Sequence, residues 1–188
     1  MRAFQAYLTP FPQGLFDIFP RLRIDAAPPA SHAASPDDSE CGQPYQYVDT
    51  LASVARGAPI SADPALVERA LRGHRLTQNA LAEFVRANGW DPRSPRADDP
   101  PFDLCWYVDK TIYVAEVKSV TDANMETQLR LGLGQILKYR HLVARRTCKP
   151  SRAILVLEAK PQDDTWIDLC RDLGVDLIWP PFLKTNLL

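Results

Sequence analysis

The chain has 188 residues, with 22 basic and 23 acidic side chains, a formal net charge of −1 and 46% hydrophobic residues. That length suits one ordinary domain with room for an appendage, and the apolar content is enough for a real core. The balanced charge excludes a strongly basic protein that coats nucleic acid by electrostatics alone.

Residues 1–24 mix aromatic residues with prolines. Gln5, Pro10, Pro12, Gln13 and Gly14 interrupt any apolar run, so we expect no signal peptide and no membrane span. Residues 25–44 are rich in Ala, Pro, Ser and Asp and read as a linker, within an N-terminal extension covering 1–60. A short helix is expected over 45–54. From residue 61 a second unit begins and runs to 188. Asp63-Pro64 is a helix start, an N-cap acid followed by proline at the first helical position. Leu66, Val67, Ala70, Leu71, Leu81, Phe84 and Val85 give the helix its apolar face, with a break or kink at Gly73 and a cap at Gly89.

A short strand is expected within 90–95, then strands over 102–108 and 111–119 joined by a tight Asp109-Lys110 turn. Residues 124–146 read as a long helix and 152–159 as a buried strand. Residues 165–173 form a helix ending at Gly174, and 175–179 a last strand stopped by Pro180-Pro181. The order from residue 63 is α, β, β, β, α, β, α, β, which predicts an α/β fold with a mixed sheet flanked by helices. The four cysteines, Cys41, Cys105, Cys148 and Cys170, include no CxxC pair and are expected to be reduced thiols of a cytoplasmic protein.

The chemistry-bearing residues lie on the paired strands. Strand side chains alternate, so Glu116 and Lys118 share a face, and antiparallel pairing brings Asp103 to the same spot. Glu116 sits inside the apolar run TIYVAEV, and an acid buried there needs a partner. Two carboxylates suit a hard divalent cation such as Mg²⁺ or Mn²⁺, and a metal held this way can hydrolyse phosphodiesters. Gln128, Gln135 and Tyr139 are spaced by seven and four residues, so they share a helical stripe. They either bond to the core or face the acids and position substrate or the attacking water. Between 124 and 152 the basic residues Arg130, Lys138, Arg140, Arg145, Arg146, Lys149 and Arg152 meet only Glu126. Lys138, Arg145 and Arg146 are the expected phosphate contacts, and Arg69, Arg72, Arg75 and Arg86 on the first helix could extend that footprint. His74 reads as a helix-surface residue, and Gly132 and Gly134 as sites of close helix–sheet packing.

Asp103, the following Glu116-Val117-Lys118 and the helical Gln135-Ile136-Leu137-Lys138-Tyr139 resemble the motifs of the PD-(D/E)XK nuclease superfamily, in its RecB-like branch with a Gln-xxx-Tyr motif. The resemblance covers about two thirds of the chain, and the αβββαβ core of that superfamily matches residues 63–159. It implies a restriction-endonuclease-like domain over 61–188 and a metal-dependent nuclease. By resemblance, Asp103 and Glu116 ligate Mg²⁺ or Mn²⁺ with the Val117 carbonyl, and Glu83 of the first helix adds an acid. Lys118 would orient the attacking water and offset transition-state charge, supported by Gln135 and Tyr139. The implied partner is nucleic acid, DNA ahead of RNA, in restriction, defence or repair. A homodimer or partner subunit would compensate for the near-neutral charge. The alternative is a noncatalytic nucleic-acid-binding or assembly subunit with a nuclease-like fold.

Overall fold

The computed structural model describes residues 40–50 and 64–182. All of them belong to one unit of the chain, residues 34–188. The elements in chain order are β1 (Gln43–Pro44), α1 (Pro64–Ala87), β2 (Arg93–Ser94), β3 (Leu104–Val108), β4 (Thr111–Lys118), α2 (Met125–Thr147), β5 (Ser151–Leu157), α3 (Thr165–Asp172) and β6 (Val175–Ile178). The fold is mixed α/β. Among the described residues three helices flank a six-stranded sheet of order β1-β2-β3-β4-β5-β6. The pairs from β1 to β4 are antiparallel, and β4, β5 and β6 run parallel. No helix among the described residues is long and apolar enough to cross a membrane.

The local reasons are visible in the sequence. Helix α1 opens on Pro64, whose fixed φ and missing N–H suit the first helical position. It closes at Gly89, where φ is +82° and the N–H donates to the Arg86 carbonyl at 2.9 Å. The β3–β4 hairpin turns on Asp109 and Lys110, with Asp109 in the left-handed region at φ +53°. The helix α2 returns the chain for the parallel pairing of β4 with β5, as a parallel connection requires.

Strand β4 is buried from Ile112 to Val117 because it lies between β3 and β5 with helices on both faces. Its alternation divides the core in two. Ile112 and Val114 join Leu129, Ile136, Tyr139 and Val143 of α2. Tyr113, Ala115 and Val117 join Leu81, Ala82 and Val85 of α1. By the same alternation Glu116 and Lys118 look towards α2.

Three expectations need correction. Helix α1 is continuous through Gly73. A Cβ at that residue would lie 2.7 Å from Glu158 Oε2, so the glycine admits a carboxylate and does not break the helix. Residues 45–50 are not helical. They run on from β1 and are tied to α1, with the Asn79 carboxamide accepting the Val48 N–H at 3.1 Å and donating to the Val48 carbonyl at 3.0 Å. The rest of that expected helix, 51–54, lies outside the described residues, as do Asp63 and residues 25–39 of the expected linker. The end of that linker is packed: Cys41 is fully buried, and Gln43 and Pro44 pair with Ser94 and Arg93.

Candidate active site

Asp103 immediately precedes β3. Its N–H donates to the Ala115 carbonyl at 3.1 Å, which ties it to β4 just beyond the last paired residues, Leu104 and Ala115. Its Oδ2 accepts the Val117 N–H at 2.7 Å and lies 3.3 Å from His74 Nε2. Gln78, one turn after His74, donates its amide to the Asp103 carbonyl at 2.8 Å. Two elements, β4 and α1, therefore fix this aspartate.

Glu116 is 4% exposed. Its Oε1 accepts the Lys118 ammonium at 2.6 Å, while its Oε2 is buried with no hydrogen-bond partner. Burial, then repulsion from Asp103, pushes its carboxyl up from 4.5 to about 7, against the pull of Lys118. Lys118 reaches this position over Gly132, where an added Cβ would lie 3.1 Å from Lys118 Cγ and 2.6 Å from Leu155 Cδ1. Gly132 thus has the packing role expected of it. Gly134 has nothing within 4 Å of its would-be Cβ and does not.

From α2, Gln135 donates to the Tyr139 hydroxyl at 3.4 Å, and its own Oε1 is buried without a partner. The Tyr139 hydroxyl is pushed above its ordinary value by burial and then by the negative charge of Glu116, with Asp103 adding to it. Tyr139 thus feels the charge of both acids, and Gln135 is joined to it. Direct contacts join Lys118 to Glu116, the Val117 amide to Asp103, and Gln135 to Tyr139.

Glu83 is not brought there. Its side chain is 62% exposed and paired with Arg86 at 3.4 Å, two turns of α1 beyond His74. The group that α1 does supply is His74, which the sequence reading placed on the surface. Burial lowers its basicity, but the hydrogen bond and charge of Asp103, with Glu116 adding, raise its pKa above 6.5 on balance. The signal was present: His74, Gln78, Leu81 and Val85 recur at helical spacing, so His74 shares the stripe that packs on the sheet.

Glu158, just past β5, was also missed. Its carboxylate accepts the Ser119 hydroxyl at 2.7 Å, the Val120 N–H at 3.3 Å and the Arg69 guanidinium at 3.2 Å, and it lies against Gly73. It clamps the α1 turn carrying His74 onto the end of β4.

The expected phosphate contacts divide. Lys138 and Arg145 are exposed on α2. Arg146 is committed elsewhere: it bonds Asp98 at 3.2 Å, the fully buried Asp99 carboxylate and the Glu40 carbonyl. Arg69 and Arg86 likewise have protein partners, Arg69 at Glu158, Arg86 at Glu83 and the Tyr47 hydroxyl. Arg72 is exposed.

Among the described residues no group of three or more His, Cys, Asp or Glu side chains is arranged to hold a metal ion. The donor chemistry still fits one. The negative charge of Asp103 acts on Glu116, and one oxygen of Glu116 is buried with nothing to bond. A hard divalent cation would satisfy that oxygen and offset the Asp103 charge that adds to burial in raising Glu116. Comparison with known proteins gave no match to any protein-family model, to any curated protein or to any solved structure.

Proposed function

We propose that this protein is a metal-dependent nuclease that hydrolyses phosphodiester bonds, with DNA as its first candidate substrate. The observation that carries the reading is the buried Glu116, with the Lys118 ammonium 2.6 Å from one of its oxygens, the other oxygen without a partner, and the Asp103 charge adding to burial in raising its carboxyl. A purely structural strand pair has no use for that orphaned oxygen, because an unsatisfied buried acceptor costs about 1–3 kcal/mol.

A Mg²⁺ or Mn²⁺ ion bound by Asp103 and Glu116 would polarise the phosphate and help generate the nucleophile. The chain's own residues do the rest. The Val117 N–H and His74 hold Asp103 in one orientation. Lys118 sets a positive charge where the phosphate gains negative charge during attack. Gln135, with a free carbonyl oxygen, and the Tyr139 hydroxyl orient water or a phosphate oxygen. Lys138 and Arg145 attract the backbone along the exposed flank of α2.

The test is cleavage of duplex DNA, single-stranded DNA and RNA with Mg²⁺ or Mn²⁺. Wild-type activity should vanish with EDTA and in Glu116→Ala and Lys118→Ala, with circular dichroism unchanged. A wild-type protein that cleaves none of the three overturns the reading. The closed Lys118–Glu116 contact favours a second reading, a noncatalytic nucleic-acid-binding or assembly subunit in which the pair is structural. In that case calorimetry detects no Mn²⁺ binding, and Glu116→Ala leaves nucleic-acid affinity unaltered.

A further inference from the structure

Away from the acidic cluster, two sulfurs meet across the sheet. Cys105 of β3 and Cys41, just before β1, are free thiols with no exposed surface, and Cys105 Sγ donates to Cys41 Sγ at 3.8 Å. The approach depends on Gly42. Its φ is +77°, and a Cβ there would lie 2.9 Å from Cys105 Sγ and 2.8 Å from Arg93 Cβ. Only glycine lets the chain press this closely on β3.

The surroundings are polar and specific. Cys41 Sγ donates to Asp99 Oδ1 at 3.7 Å, and its N–H donates to the Tyr107 hydroxyl at 2.6 Å. Asp99 also accepts the Gly42 N–H at 3.0 Å, the Arg96 N–H at 2.7 Å and the Arg146 guanidinium. The thiols therefore form a directed chain, Cys105 to Cys41 to a carboxylate.

We propose that Cys41 and Cys105 are an oxidisable dithiol, converted by hydrogen peroxide into a disulfide that staples residues 40–44 to β3. Two sulfurs already in contact need only close to the ordinary S–S bond length of about 2 Å. Cys41 acts first, because it lies on the 40–42 segment whose lifting exposes it to peroxide. Its sulfur attacks one peroxide oxygen, the O–O bond breaks, and a sulfenic acid forms with release of water. Cys105 then attacks the Cys41 sulfur and displaces hydroxide, which leaves as water with the Cys105 proton. Two thiols are oxidised and one peroxide is reduced to two waters. The hydrogen bond to Cys41, and then burial, push the Cys105 thiol well above its ordinary value, so it stays protonated until it attacks and the resolving step is slow. Because both sulfurs are buried, the reaction follows a transient lifting of residues 40–42 and is slow beside oxidation of the exposed Cys148. The inference is independent of the nuclease reading.

The test uses the full chain carrying Cys148→Ser, to prevent cross-linking between molecules. It is incubated with hydrogen peroxide, denatured, alkylated and digested. The expected product is a Cys41–Cys105 linked peptide, reversed by dithiothreitol and absent in Cys41→Ser. The oxidised protein should melt about 10 °C above the reduced one, since the bond closes a long loop. Recovery of Cys41 and Cys105 as alkylated or over-oxidised monomeric peptides overturns the proposal. So does an oxidised form that melts no higher than the reduced form.

Discussion

The stem of Lys118 crosses helix α2 at Gly132, where a methyl group would lie 3.1 Å from Lys118 Cγ and 2.6 Å from Leu155 Cδ1. Leu155 is fully buried and has no room to retreat. Gly132→Ala should therefore destabilise the fold by roughly 1–3 kcal/mol from overpacking, partly offset by about 1 kcal/mol of helix propensity. It should also move the ammonium off Glu116. Gly134→Ala, with open space around it, should stabilise by about 0.5–1 kcal/mol. Urea unfolding of the two variants checks the contrast. Equal effects would show that Gly132 does not govern the helix–strand distance.

The carboxyl of Glu116, raised to about 7, makes a pH signature. The folded state binds this proton more tightly than the unfolded state, whose value is near 4.5. Between those values folding takes up a proton, so stability falls as pH rises through the window. Relative to Glu116→Gln, the wild type should lose on the order of 3 kcal/mol from pH 4 to pH 8. Denaturant unfolding of both proteins across that range measures the difference. A pH-independent gap would mean that folding leaves the Glu116 carboxyl at its ordinary value.

His74 holds Asp103 from the α1 side at 3.3 Å. If the proposed activity is present, His74→Ala should reduce cleavage by roughly 10–100-fold, the size of effect seen when a partner of a ligating carboxylate is removed. Manganese titration should show weaker binding in the same variant. Glu83→Ala, on the exposed face of α1, should change neither quantity.

Arg146 and its neighbours on α2 separate structure from binding. Arg146→Ala takes the guanidinium from the Asp99 carboxylate, which has no exposed surface and keeps only the Gly42, Arg96 and Cys41 donors described above, and should cost roughly 2–4 kcal/mol. Lys138→Ala and Arg145→Ala should leave stability within about 0.5 kcal/mol. Each should instead lower nucleic-acid affinity and flatten its salt dependence by about one unit of slope. Thermal melts and binding at two salt concentrations give both readouts.

The central layers of this fold were legible because they rest on local periodicity. The Asp109-Lys110 turn, the TIYVAEV strand and the long amphipathic α2 each declare themselves within a dozen residues. So does the antiparallel pairing of β3 with β4, since a two-residue turn fixes the register of a hairpin. What was not legible depends on distant partners. His74 lies on a stripe whose burial is decided by the sheet, and a histidine there does not by itself name Asp103 as its neighbour. Arg146 resembles any basic helix residue until the loop holding Asp98 and Asp99 folds beneath it. Residues 40–44 have a linker's composition, yet one buried cysteine and a left-handed glycine lock them to the sheet.

The clamp formed by Glu158 bears on the order in which the chain becomes competent. It ties Arg69 to a strand end 89 residues later. A growing chain that has already emerged with Asp103, Glu116 and Lys118 still lacks the carboxylate that pins the His74 turn. The acidic pair can form early from its hairpin, but its α1 side is completed only after β5 has docked beside β4. A fragment ending before Ser151 should therefore keep the hairpin sequence and lose the assembled cluster, which ties any chemistry at this place to synthesis of the C-terminal strands.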